Sequence, residues 1–165
     1  MTLVRVNKDN LDEYEEFIKR HPKGLFQHSS KWAKVKSAWK FEAIMLKNDS
    51  GEIKGSAAVL IRSIPIIKNS LMYCCRGFVC DENDFDTFDK LFNGLIELGK
   101  EYKAYCIKID PEIVIQNEAY KKHLIESGFI ELNPGCMDFE NVQPRFVYCF
   151  DYNGMNEDEL MLTFK

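Results

Sequence analysis

Between Phe41 and Cys75 three strand-like runs follow one another closely, and this meander limits the possible folds more than any other feature of the chain. Phe41 to Leu46 and Gly55 to Ile64 are separated by the turn residues Asn48-Asp49-Ser50-Gly51, and a third run extends from about Leu71 to Cys75. A long amphipathic helix is predicted next, from near Asp84 to Tyr102, because Phe85, Phe88, Phe92, Leu95 and Tyr102 recur at helical spacing. Tyr105 to Ile109 then forms a compact buried strand that stops at Asp110-Pro111.

Shorter elements flank this centre. Leu3 to Val6 is a short strand, and Asp9 or Asn10 caps a helix with Leu11, Tyr14, Phe17 and Ile18 on one face, stopped by His21-Pro22-Lys23-Gly24. Ser29 or Ser30 caps a second helix in which Trp32, Val35 and Trp39 share a face. Asn117 to Glu126 reads as a helix closed by Gly128, and Phe129 to Leu132 and Phe146 to Tyr152 as strands. Interleaved helices and strands around a central meander define an α+β or mixed α/β sandwich. From Met155 to Lys165 an amphipathic helix opens, with Asn156 as cap and Leu160, Met161 and Phe164 apolar, and the pattern stops midway.

At 165 residues the chain has room for one domain, and 45% hydrophobic residues are enough for a core. The net charge of −4 argues against a surface whose main work is gripping a phosphate backbone. No apolar run is long enough for a signal peptide or a membrane span, which points to the cytoplasm. The six cysteines (74, 75, 80, 106, 136, 149) make no CxxC pair and sit mostly in apolar stretches, so buried free thiols are expected, without metal. P-loop, dinucleotide-binding and serine-elbow patterns are absent, and no cofactor is indicated.

Four constellations could carry chemistry. In Trp32-Ala33-Lys34-Val35-Lys36, Lys36 lies one turn from Trp32 and borders the apolar face, whereas Lys34 points away; Lys36 either meets a ligand or lays its stem over the tryptophan. Arg76-Gly77, at a strand end among apolar residues, suits a phosphate or carboxylate, with an ion pair to Asp81 or Glu82 as the alternative. In Tyr105-Cys106-Ile107-Lys108-Ile109-Asp110, alternation puts Lys108 and Asp110 on one face and Tyr105 on the other. Asp110 falls at the carboxyl end of a strand, where ligands of open sheets gather, although a Lys108–Asp110 salt bridge or an Asp110 cap would also fit. Gln143-Pro144-Arg145 opens a strand and by itself is a plain turn.

Together these pieces resemble one family. Pro22-Lys23-Gly24, Phe26-Gln27-His28-Ser29-Ser30-Lys31-Trp32-Ala33-Lys34-Val35-Lys36 with Trp39, Tyr73 to Gly77 with Asp81, Lys108-Ile109-Asp110-Pro111-Glu112, Gly128-Phe129 and Gln143-Pro144-Arg145 follow the order and spacing of the FemABX peptidyltransferases. The resemblance implies a domain of acetyltransferase-like (GNAT) topology, with Tyr105 to Ile109 as a central strand. It also implies transfer of amino acids from aminoacyl-tRNA to the stem peptide of a lipid- or UDP-linked peptidoglycan precursor. Residues 1–165 would then be a single GNAT-like domain, the N-terminal half of a two-domain parent. The absent half would supply most of the tRNA contact, this half would be inactive alone, and contact with the inner membrane face would be at most peripheral. Carried onto this sequence, Lys36 and Arg76 would face the precursor's phosphates or carboxylates, and Tyr105 and Asp110 would line the groove near the acceptor amine. Lys108 and Arg145 complete the substrate-binding candidates, and Asp110 is the candidate catalytic group.

Two other readings stay open. A CoA-dependent GNAT acetyltransferase expects a Gly-rich pyrophosphate turn at a helix N-terminus, and none is present. A non-catalytic module that binds wall precursors or a partner protein is the third.

Overall fold

The structure is a computed structural model that describes residues 1–64, 66, 68–114, 116–132, 150, 152 and 154–164. It divides into two compact units, Met1–Ile130 and Glu131–Lys165.

In the larger unit five strands form one mixed sheet in the order β1-β2-β3-β4-β5: β1 Thr2–Arg5, β2 Lys40–Lys47, β3 Ile53–Ile64, β4 Asn69–Cys74 and β5 Ala104–Ile109. The first three pairings are antiparallel, and β4 and β5 run parallel. The β2–β3 turn forms because the Asn48 side chain accepts from the Ser50 and Glu52 amides while Gly51 takes φ +84°. A parallel neighbour needs a crossover, and α3, Phe85–Glu101, provides it. Its N-cap Asp84 accepts from the Thr87 amide at 3.0 Å.

The sheet has two unlike faces. On one, α3 packs Phe88, Leu91 and Leu95 against Ile44, Leu46, Val59, Ile61, Met72 and Cys74, and α4, Glu118–Glu126, adds Tyr120. On the other, α1, Leu11–Arg20, buries Tyr14 and Ile18 against Ala43, Met45, Ala58 and Val79. A 3-10 turn, Phe26–His28, and the short helix α2, Ser30–Val35, follow α1.

Several expectations need correction. Among the described residues β5 is the last strand of the sheet, not an interior one. α2 ends at Val35, which is exposed, and Trp39 lies beyond the helix beneath the Arg62 guanidinium, 5.7 Å from its ring centre. Phe129 to Leu132 is not a strand; Phe129 packs on Phe92 instead. Cys74, Cys75 and Cys80 are buried free thiols, but Cys106 is exposed. The strand Phe146 to Tyr152 falls largely outside the described residues, as do Cys136, Cys149 and Gln143-Pro144-Arg145.

In the smaller unit the expected terminal helix is α5, Glu157–Thr163. Asn156 and Glu159 exchange side-chain-to-backbone bonds at its start, which satisfies two helix-end amides reciprocally. Met161, Leu162 and Phe164 are exposed.

Candidate functional site

The parallel pair β4–β5 delivers two chain ends side by side, with Cys74 opposite Ile109. Beyond Cys74 the backbone makes a left-handed turn, Arg76 at φ +60° and Gly77 at φ +77°. A side chain on Gly77 would lie 2.9 Å from Pro111, so glycine is required for both conformation and space. The Arg76 amide donates to Asp110 Oδ1 at 2.8 Å, which fastens the turn to the end of β5.

That bond occupies one oxygen of Asp110. Oδ2 is buried and, among the described residues, has no hydrogen-bond partner. Burial pushes the Asp110 carboxyl above the usual carboxylate range, opposed by the Arg76 amide and the nearby Tyr73 hydroxyl. Burial likewise raises Tyr73 and the adjacent Cys75 thiol, and Cys75 feels the charges of Asp110, Arg76 and Lys36. Lys36, Arg76 and Asp110, far apart in sequence, therefore all lie within electrostatic reach of Cys75.

The two ion-pair alternatives are not seen among the described residues, whereas Lys36 does lie over Trp32. Glu82 is engaged by Lys23 and Asn117, and Asp81 accepts the Asn83 amide, so Arg76 is left without an ion pair among the described residues. Lys108 sits over the Tyr73 ring, 6.0 Å from its centre, and does not pair with Asp110. Lys36 Nζ stands 5.0 Å from the Trp32 ring centre and remains exposed, as is Lys34. Tyr105 is the outlier: the register slips by one residue there, and it is 56% exposed at the far end of β5, about 16 Å from Asp110 at 3.3 Å per residue. Arg145 lies outside the described residues.

His28 was not singled out by sequence reasoning, although it lies within Phe26-Gln27-His28-Ser29-Ser30. It is 1% exposed, and its Nδ1 accepts from the Leu25 amide at 3.0 Å, which places the proton of the neutral ring on Nε2. Nε2 faces the Cys75 and Gly77 carbonyls from beneath the turn without closing a hydrogen bond. Burial lowers the His28 pKa to about 4. Tyr14 donates to the His28 carbonyl at 2.6 Å, and Glu15 accepts from Ser29 Oγ and the Ser30 amide, so α1 positions both the imidazole and α2. Lys23 bonds the Glu112 carbonyl and pairs with Glu82, tying Pro22-Lys23-Gly24 to the loop beyond Asp110. The sequence signal for His28 was only its place in that run, because the carbonyls that it faces come from the turn after β4.

The mixed sheet, the α3 crossover and the parallel β4–β5 pair are those of the GNAT fold. A probable acetyltransferase of known structure shares it, at 12% identity and a TM-score of 0.60 over 92% of this chain and 99% of that one. The FemAB family model matches residues 10–165, and the chain belongs to the FemAB family. It is 32% identical over 158 residues to the lipid II:glycine glycyltransferase of Staphylococcus epidermidis, covering 93% of this chain and 37% of that protein. To the Staphylococcus aureus enzyme of the same description it is 30% identical over 161 residues, with the same coverage. The crystal structure of FemX matches at 30% identity and a TM-score of 0.68, over 78% of this chain and 32% of that one. The chain thus spans little more than a third of these curated relatives.

Proposed function

We propose that this chain is the precursor-facing part of an aminoacyltransferase that extends the stem peptide of a lipid-linked peptidoglycan precursor, with aminoacyl-tRNA as donor. The observation that carries the reading is a buried carboxylate oxygen, Asp110 Oδ2, without a partner among the described residues and next to Arg76, with Lys36 within electrostatic reach of the neighbouring Cys75, in a chain of this family. The relatives' description as lipid II:glycine glycyltransferases supports glycine as the transferred residue.

In the reaction an acceptor amine attacks the ester carbonyl of the aminoacyl group. The new N–C bond forms as the C–O bond breaks, and the ribose oxygen leaves with a proton. The amine must first lose its own proton, and Asp110 suits that step. The Arg76 amide fixes the carboxylate through Oδ1, Oδ2 keeps its acceptor capacity unused for the ammonium, and burial raises proton affinity above that of an exposed aspartate. Lys36 and Arg76 would hold the precursor's phosphates or carboxylates, and Lys108, over Tyr73, would border the same groove. Tyr105 would line it nearer the start of β5, and Arg145 would complete the set of basic contacts. The remaining transfer machinery would lie in the length of the relatives that this chain does not cover, so turnover by the chain alone is not expected.

Titration with a soluble UDP-linked muramyl pentapeptide and, separately, with acetyl-CoA tests the reading. Saturable heat with the precursor and none with acetyl-CoA is expected. Saturation by acetyl-CoA without response to the precursor would replace the proposal with a CoA-dependent acetyltransferase.

A further inference from the structure

The acidic charge of the chain is unevenly distributed. No Asp or Glu occurs from Phe17 to Phe41, against seven Lys and Arg, and none from Ile53 to Cys80, against four. The fold joins these two stretches: Lys40 pairs with Ile61, and Trp39 packs beneath Arg62. Lys19, Arg20, Lys23 and Lys40 pair with carboxylates, and Lys31, Lys34, Lys36 and Arg62 leave the edge formed by α2 and the end of β3 basic in a protein of net charge −4.

The same edge exposes apolar surface. Phe26 and Val35 are 64% and 69% exposed, and Phe26 meets Trp32 edge-on with ring centres 5.1 Å apart. Both tryptophans of the chain lie here, Trp32 beneath Lys36 and Trp39 beneath Arg62. Lys31 and Lys34 are exposed on α2 beside them. Half-buried tryptophans, projecting apolar side chains and surrounding lysines are the combination that seats a protein in the headgroup layer of an anionic bilayer.

We propose that α2 and the adjoining end of β3 dock this protein on an anionic membrane surface. The inference builds on the proposed function. A lipid-linked precursor keeps its phosphates at headgroup depth, so the residues that hold them must approach the bilayer, and Lys36 belongs to both surfaces. Charge and apolar surface together select the occupant: the basic edge is attracted by anionic lipid, and the projecting Phe26 and Val35 suit the bilayer better than a nucleic acid.

The test uses lipid vesicles without precursor, so its outcome is independent of the precursor titration. Because both tryptophans report from this edge, their fluorescence is expected to shift to the blue with vesicles containing phosphatidylglycerol and to be quenched by brominated acyl chains. Pure phosphatidylcholine should produce little change, and salt should weaken the binding. Lys31→Glu with Lys34→Glu should weaken binding tenfold or more, whereas Lys90→Glu with Lys100→Glu, the same charge change on α3, should stay within about twofold. Phe26→Ser with Val35→Ser should remove the bromolipid quenching. An absent response to anionic vesicles, equal losses in the two charge-reversed pairs, or unchanged quenching after the apolar pair is removed would each overturn the proposal. So would a dimer in sedimentation that Phe26→Ser with Val35→Ser dissociates, with no vesicle binding; that result would give the surface to a second copy of the chain.

Discussion

The two faces of the sheet are built to different standards. Beneath α3, buried polar side chains are paired: Thr87 Oγ1 donates to Asp84 at 2.7 Å, Ser70 Oγ to the Tyr102 carbonyl at 2.8 Å, and Glu42 meets Arg5, Lys40 and Tyr102. On the side of α1 and the 3-10 turn, Gln27 Oε1, His28 Nε2, Ser56 Oγ and Asp110 Oδ2 are buried without partners among the described residues. Unpaired buried polar atoms cost stability, and they are completed by ordered water, an ion or a ligand. The α3 face holds the protein together, and the proposed function would place the substrate on the other face.

The contrast is sharpened most by removing a core side chain. Leu95 is fully buried on the sheet-facing side of α3, and Leu95→Ala should cost about 2–5 kcal/mol in denaturant unfolding while leaving precursor affinity of the folded fraction unchanged. A parallel loss of affinity would show that the faces are not independent.

His28 gives the next effect. Its folded pKa of about 4 lies below the ordinary value of 6.5, so the unfolded chain takes up the proton first as pH falls. Stability is complete above pH 6.5, declines toward pH 4 and is not reduced further by this group below that. At about 1.4 kcal/mol per tenfold difference in proton affinity, the penalty amounts to roughly 3 kcal/mol. His28→Gln should flatten that limb of the stability–pH curve, and an unchanged limb would contradict the assignment.

Glu42 has the opposite relation to pH. Its pKa is held at about 2 against burial, by Arg5, Tyr102 and Lys40. Its contribution is present above the ordinary value of 4.5 and is lost as pH falls toward 2. Because Arg5 is 42% exposed, solvent screening limits Glu42→Gln to about 1.5–3 kcal/mol at pH 7. Ser56→Ala should move stability by less than about 1 kcal/mol, toward stabilisation, because it removes an unpaired hydroxyl. A clear destabilisation would mean that a partner satisfies Ser56.

Legibility in the sequence followed physical range. The β2–β3 hairpin and α3 were readable because turn residues, helical period and the Asp84 cap act within a few positions. Strand order was not: period shows that Tyr105 to Ile109 is a strand but not which neighbours it has, and β5 stands last in the described sheet. Trp39 fits the helical spacing of Trp32 and Val35, yet its contact with Arg62 across the sheet edge decides its place. Asp110 was legible as the residue ending a strand, and Lys36 as the lysine beside Trp32. His28 was not, since what distinguishes it is burial beneath a turn contributed by another strand.

The central claim is that Lys36, Arg76 and Asp110 form one ligand-binding rim on the less satisfied face. Calorimetric titration of the UDP-linked muramyl pentapeptide into the chain and its Lys36→Ala, Arg76→Ala, Asp110→Asn and Lys34→Ala variants measures this directly. Loss of one charge-assisted contact, about 1.5–3 kcal/mol, should weaken each of the first three roughly tenfold to a hundredfold, and Lys34→Ala should match the parent. Equal losses at Lys34 and Lys36, or unchanged affinity in Arg76→Ala and Asp110→Asn, would show that these charges serve only solvent.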